Sequence, residues 1–361
     1  MTSVELFLYE ESDFTGYYNN YLKFLFNGFN LENFEYGAGI EVILPFINYL
    51  LSLVLKTNNP YLVLYMHSFF LMLLIYYLIY LISKHHKLEL KETILLFTFM
   101  IVLFKYGTAL NHLRQAYASI FILIAIFSKN NKYIFILLSI FTHLSSIIIY
   151  PLVKFLLMER SVKRIKMFTL IFILMSGAIY ILFFNLYSLI MHTDFILLEK
   201  IKFALIYLKK DLDITKYLMT SIIASFYLII LALLFFLLKN NKTHSQWNLY
   251  AMIVFLISFS FLPGMSFRLL DPILTIGIGY LFFKYLRIEL KFKQAYLIGI
   301  LIIIFFQFKW MIFNIGYYQK YPWISFKPFY YISTYFEQKN LVDRYSLPHL
   351  KDINIENKYK P

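Results

Sequence analysis

The chain contains no cysteine, and only 15% of its 361 residues are charged. The lack of cysteine excludes disulfide bonds and thiolate-bound metals. The low charge accompanies a hydrophobic share of 60%, whereas soluble domains are about 45–50% apolar. Such an excess of apolar residues cannot be buried in one aqueous core, so the composition predicts an all-α polytopic integral membrane protein.

Several catalytic motifs are also absent from the sequence. It has no Walker loop, no HExxH and no GxSxG. The outer segments hold a single Asp-x-Asp pair, Asp211 and Asp213, and its neighbours are lysines, which disfavour a metal. The carboxylate relays of ion-coupled transporters are not recognisable in the apolar runs either. We therefore expect no metal and no cofactor.

The net charge of +14 would indicate a nucleic-acid partner in a soluble protein. Here, however, the basic residues lie mostly in short gaps between apolar runs, which is the pattern of topology signals. We therefore expect no nucleic acid and expect the lipid bilayer as the surroundings. Arginine is scarce beside lysine, and the six arginines are Arg114, Arg160, Arg164, Arg268, Arg287 and Arg344.

The apolar runs are candidate membrane spans, for which about 20 residues are needed. They lie near 61–82, 93–104, 113–128, 133–158, 167–190, 217–238, 247–262, 269–283 and 294–313. The run 133–158 is longer than one span requires and contains a polar stretch around His143, followed by Pro151. Two short helices that meet near His143 would fit, and so would one long, kinked helix.

The positive-inside rule favours the two-helix hairpin. With a hairpin, all the short basic gaps fall on the cytoplasmic side, namely 84–91, 129–132, 160–166, 239–242 and 284–293. With a single span at 133–158, about half of them would lie on the wrong side. The count of transmembrane helices is then about ten.

The distribution of basic residues also divides the chain into three parts. Residues 1–60 form an extracytoplasmic acidic and aromatic segment without signal-peptide features. Within it, residues 40–55 are expected to form an interfacial helix, with a first full span as the alternative. Residues 61–313 form the multi-span membrane domain, and residues 314–361 form an extracytoplasmic tail. The outer loop 192–216, rich in lysine, is either a solvated helix or a lid over an acidic lipid head group.

Three polar sites are expected at the outer ends of spans. Arg114 opens the run 113–128, and it either anchors the helix at the interface or binds phosphate through its planar fork of donors. His143 lies at the predicted helix break, where a structural hydrogen bond is the simpler interpretation. Arg268 follows a Pro-Gly turn and either pairs with Asp271 one turn on or binds an anion together with Arg114.

At these residues the chain resembles the EpsG-like group of Wzy-type polysaccharide polymerases. Asn111–Ala118 is similar to the family's "iRQ-x-iA" start of a span, and Phe141–Ser146 is similar to its "fH-x-Sa" element. The outer "D-Y-x-x-Y" segment is matched by Asp13, Phe14, Tyr17, Tyr18 and Tyr21, with weaker similarity at Arg268, Trp323 and Pro328. The family usually has an earlier span that ends in an arginine-rich stretch, which these 361 residues do not contain.

The resemblance implies an all-α, GT-C-like membrane glycosyltransferase that needs no metal. Such an enzyme moves an undecaprenyl-pyrophosphate-linked glycan onto a lipid-linked repeat unit at the periplasmic face of the bacterial inner membrane, in O-antigen or capsule synthesis. By this resemblance, Arg114 and Arg268 would clamp the pyrophosphate, and Gln115 and His112 would help to bind the substrate. Either His143 or Asp13 would accept the proton of the acceptor hydroxyl. A chain-length regulator protein is a further candidate partner.

Three other functions stay open. An O-antigen ligase would use the same donor with a lipid A-core acceptor. A lipid-linked oligosaccharide flippase is expected to have about 12 or more spans and internal pseudo-repeats, neither of which is evident. A membrane acyltransferase that modifies sugars would also place a histidine and an arginine near a membrane face.

Overall fold

The computed structural model describes residues 13–34, 40–105, 109–110, 112–158, 160–191, 228–233, 246–260, 265–289, 297–298 and 301. These ranges are helical and contain no strand, which confirms the predicted all-α class. The helices are α1 (Asp13–Asn27), α2 (Ile43–Leu55), α3 (Pro60–His86), α4 (Leu90–Leu103), α5 (Leu113–Phe127), α6 (Lys132–Thr142), α7 (Ser146–Leu157), α8 (Val162–Met191), α9 (Gln246–Ser258), α10 (Met265–Asp271) and α11 (Ile278–Glu289). A 3₁₀ turn, Leu31–Phe34, follows α1, and a π-helical segment, Pro272–Gly277, precedes α11.

The chain divides into two compact units. The first contains the described residues up to Ile147 together with residues 297, 298 and 301, and the second contains those between Ile148 and Ala295. In the first unit α5 packs against α3 and α6, and α1 packs against α2. In the second unit α8 packs against α9. The loop 192–216, the tail 314–361 and most of the runs 217–238 and 294–313 lie outside the described residues.

Helix α5 is the centre of the first unit. Every side chain from Gln115 to Phe127 is buried, although an amphipathic surface helix would expose one face. The run of isoleucine, leucine, alanine and phenylalanine explains this burial, because it presents apolar atoms in all directions. The helix therefore holds its first turn, which carries Arg114 and Gln115, in a fixed place.

Two helices are long and apolar enough to cross a bilayer, by length and composition: 25 residues at Leu62–His86 and 20 residues at Val162–Ile181. On α8, exposed apolar side chains such as Leu170, Leu174 and Ile181 cover the surface, as expected of a helix that faces lipid. The other apolar helices of the described residues have 10–17 residues, shorter than a usual span. The count of ten spans therefore stays a prediction.

The predicted break in the run 133–158 is confirmed. Helix α6 ends at Thr142, and α7 begins at Ser146. His143 lies between them in an extended conformation, with φ −154° and ψ 113°. The hydroxyl of Ser146 donates to the carbonyl of Ser139 at 2.9 Å, which binds the start of α7 to the last turn of α6. A single kinked helix is excluded, because three residues between the two helices leave the helical conformation.

The helix expected within residues 40–55 is also present, as α2. Its buried side carries the polar residues Asn48 and Ser52, whereas Phe46, Leu50 and Val54 are exposed. Polar groups that face protein and apolar groups that face outward suit a helix in contact with lipid. Whether α2 lies at the interface or crosses the bilayer stays a prediction.

Candidate functional site

A buried carboxylate, Glu41, joins the two polar sites that the sequence predicts in the first unit. Its Oε1 atom accepts a hydrogen bond from His143 Nδ1 at 2.9 Å and another from the backbone N–H of Leu144 at 3.0 Å. Its Oε2 atom accepts from Nη1 of Arg114 in an ion pair. The Glu41 side chain is only 1% exposed, whereas that of Arg114 is 29% exposed and that of His143 is 22% exposed. The carboxylate is therefore enclosed, and its two partners reach the surface of the site.

The local structure explains why these groups need one another. Arg114 is the second residue of α5, where the helix dipole is positive and disfavours a cation. An acidic partner such as Glu41 offsets this unfavourable interaction between the helix dipole and the guanidinium. Leu144 follows the end of α6, so its N–H has left the helical hydrogen-bond pattern and needs another acceptor. The carboxylate of Glu41 supplies both the negative charge beside Arg114 and the acceptor for the N–H of Leu144.

Electrostatics keep Glu41 ionised. Burial alone would raise its pKa, because a low-dielectric environment disfavours the charged form. The hydrogen bonds from His143 and Leu144 and the charge of Arg114 outweigh this effect and lower the pKa to about 2. Glu41 is therefore a carboxylate at neutral pH and acts as an acceptor only.

The contact with Glu41 determines the tautomer of His143. A carboxylate cannot donate, so the Nδ1 atom of His143 must carry the hydrogen. In the neutral ring, Nε2 is then the atom with a lone pair. A partly exposed histidine with a lone pair at Nε2 can accept a proton from a substrate hydroxyl.

Two further residues predicted for the site, His112 and Asp13, also lie close together. Nε2 of His112 lies 3.6 Å from Oδ2 of Asp13, and both side chains are partly exposed. His112 is the residue before α5, and Asp13 opens α1, so the pair joins the starts of two helices. Gln115, on the first turn of α5, is buried.

Arg268 belongs to the second unit, in α10, and its side chain is exposed. Three residues later, the buried Asp271 accepts a hydrogen bond from the hydroxyl of Thr275 at 2.5 Å. The prediction that Arg268 and Arg114 bind the same pyrophosphate is not tested by these contacts and stays a prediction.

Sequence reasoning missed Glu41 as a site residue. Its partners Arg114 and His143 are 73 and 102 positions away, so no local spacing reveals the contact. The available signal was the acidic side chain itself, placed beside the apolar segment 43–55. A buried charge in such a place needs a partner of opposite charge or several hydrogen-bond donors.

Comparison with known proteins supports the resemblance. The model of the EpsG family matches residues 6–337, which is more than half of the chain. No curated protein and no solved structure matches the chain.

Proposed function

The chain belongs to the EpsG family, and from this premise we propose that it is a polysaccharide polymerase. Membership indicates a membrane protein of polysaccharide biosynthesis. The proposed reaction transfers an undecaprenyl-pyrophosphate-linked glycan chain onto a lipid-linked repeat unit, for O-antigen or capsule. The proposed location is the inner membrane, with the site facing the periplasm.

One observation supports this proposal above all: the two carboxylate oxygens of Glu41 bind a candidate base and a candidate phosphate-binding cation. Oε1 contacts the base, His143, and Oε2 contacts the cation, Arg114. Glycosyl transfer from a pyrophosphate needs both of these groups. The attacking hydroxyl has to lose a proton, and the departing pyrophosphate gains negative charge. Arg114 presents several N–H donors in a plane, and its Nη1 is directed at Glu41.

The proposed step is a displacement at the anomeric carbon of the donor glycan. The oxygen of the acceptor hydroxyl forms a bond to the anomeric carbon of the donor glycan. The bond between that carbon and the pyrophosphate oxygen breaks, and its electron pair leaves with the pyrophosphate. The hydroxyl proton passes to Nε2 of His143. In the proposed step the negative charge of the leaving group is met by Arg114 and Arg268, so the step is written without a metal.

Further residues complete the proposed site. His112 and Gln115 lie on either side of Arg114 in sequence, at the start of α5, and we assign them to substrate binding. Asp13, which contacts His112, is the alternative proton acceptor. A chain-length regulator protein is proposed as a partner that sets the length of the product.

The experiment that tests the function uses the purified protein in liposomes with an undecaprenyl-pyrophosphate-linked repeat unit. We expect products that carry two or more repeats on one lipid, separated on a gel and identified by mass. Transfer only to an added lipid A-core acceptor would instead identify a ligase. Movement of the lipid across the bilayer without any new glycosidic bond would identify a flippase.

A further inference from the structure

The two carboxylate oxygens of Glu41 contact Arg114 and His143, and Glu41 lies far from both residues in sequence. Its three donors come from two elements, the first turn of α5 and the break between α6 and α7. Both elements carry groups that the proposed reaction uses. A residue that sets the position of both has more than a local effect.

We propose that Glu41 is the positioning residue of the reaction, which holds His143 with Nε2 available to the acceptor hydroxyl and fixes Arg114 beside it. This inference rests on the proposed function, because it assigns a role within that site. Because the side chain of Glu41 is enclosed, Glu41 acts through its two more exposed partners. A histidine whose Nδ1–H is bound to a carboxylate keeps one tautomer and one ring orientation.

The charges of the three groups give a second reason for this arrangement. With His143 neutral, the carboxylate of Glu41 and the guanidinium of Arg114 cancel. When His143 accepts the hydroxyl proton, the cluster gains one positive charge. In the same step the departing pyrophosphate gains one negative charge. The cluster therefore becomes cationic at the moment when an anion forms next to it, and Glu41 stabilises the imidazolium during that step.

Alternatively, Glu41 only stabilises the fold and does not affect the reaction. The substitution Glu41→Gln distinguishes this stabilising role from the positioning role. Gln keeps the size of the side chain, and its carbonyl oxygen can still accept from His143 or Leu144. It removes the negative charge, and its amide turns a donor toward Arg114 or toward His143. If Glu41 only stabilises the fold, the substitution lowers the amount of folded protein. If Glu41 positions His143, the substitution slows the reaction of the protein that is folded.

The deciding measurement is a double-mutant cycle on kcat, per molecule of folded protein, with the lipid-linked repeat as substrate. We expect Glu41→Gln to lower kcat by about 10²-fold or more, with KM changed by less than about threefold. We expect His143→Gln to lower kcat by about 10²–10⁴-fold. Adding Glu41→Gln to His143→Gln should slow the reaction by clearly less than Glu41→Gln slows the wild type, because the part of the loss that acts through the His143 ring is already present. Glu32→Gln, at an exposed acid in the same unit, is the matched control and should keep the wild-type rate.

Three results would overturn part of the proposal, and they can be told apart. Losses that multiply in the double variant would show that Glu41 acts independently of His143, and this inference would be wrong. A wild-type kcat for Glu41→Gln would also refute it. A wild-type kcat for His143→Gln would refute the proposed base, whatever Glu41 does. If Glu41→Gln does not fold, Glu41→Asp alone and with His143→Gln provides the same cycle with the charge retained, and it is judged by the same criterion of non-additivity.

Discussion

Nε2 of His67 lies 3.0 Å from Oδ1 of Asn48, and both side chains are buried. The amide of Asn48 donates to the carbonyl of Tyr17 at 3.1 Å and to Oδ1 of Asn20 at 3.0 Å. Oδ1 of Asn48 is therefore the acceptor, and Nε2 of His67 is the donor. On the other side of the ring, Nδ1 lies 3.2 Å from the hydroxyl of Tyr117. Through these bonds one buried network joins α1, α2, α3 and α5.

The network predicts that Asn48→Ala destabilises the protein. The substitution leaves the Nε2–H of His67 and Oδ1 of Asn20 without their bonds to Asn48, inside the first unit. Each buried polar group left without a partner costs about 1–3 kcal/mol. We expect a clearly lower melting temperature in detergent, measured by thermal unfolding. Asn27→Ala, at an exposed position of α1, is the matched control, and equal melting temperatures for the two variants would contradict the prediction.

The contribution of Glu41 to stability should depend on pH. Its pKa is lowered to about 2 in the folded protein from the ordinary value of 4.5. A lowered acid pKa stabilises the folded state fully above the ordinary value, and this stabilisation is lost as the pH falls toward the folded-state value. The melting temperature of the wild type should therefore exceed that of Glu41→Gln most at neutral pH. The difference should shrink between about pH 4.5 and about pH 2, and a difference that is constant over this range would contradict the prediction.

Much of the local structure could be predicted from the sequence. The polar stretch around His143 indicated a helix break, and the break is where it was expected. Arg114 was expected at the start of a helix and is the second residue of α5. These features depend on neighbouring residues, which a single sequence displays directly.

The connections between distant residues could not be predicted in the same way. Glu41 was interpreted as part of an interfacial helix, and His67 as part of an apolar run. Their partners are tens of residues away, and hydrophobic periodicity says nothing about which polar side chains meet across helices. Burial of a charged or polar group predicts that a partner exists but does not identify it.

The topology makes a prediction that does not depend on the number of spans. Because α6 and α7 are separated at His143, the chain can enter and leave this region on one side of the membrane. The basic residues before and after it, Lys132 and Arg164, should then both be cytoplasmic. Reporter fusions placed after each of them should both report the cytoplasm. Opposite reports would require one crossing between them and would refute the hairpin.

The proposed phosphate contacts predict a difference between arginine and lysine. Lysine keeps the positive charge but loses the planar fork of donors that Arg114 and Arg268 would direct at the pyrophosphate. Arg114→Lys and Arg268→Lys should each lose most of the polymer while the protein still accumulates in the membrane. Arg164→Lys, at an exposed position of α8, is the control and should give a normal polymer ladder. Normal ladders from all three variants would leave Arg114 and Arg268 as helix anchors.

The choice of proton acceptor predicts different results for His143 and Asp13. Nε2 of His143 is available to accept a proton, whereas Asp13 already lies 3.6 Å from His112. His143→Gln should therefore slow the reaction by about 10²–10⁴-fold, the usual range for acid–base catalysis, and Asp13→Asn should slow it much less. The measurement is polymer formed per membrane-inserted molecule, with a purified lipid-linked repeat. His85→Gln, at the far end of α3, is the control for loss of an imidazole and should keep the wild-type rate. A large loss from Asp13→Asn with an unchanged rate for His143→Gln would transfer the role to Asp13, since Gln cannot act as a base near neutral pH.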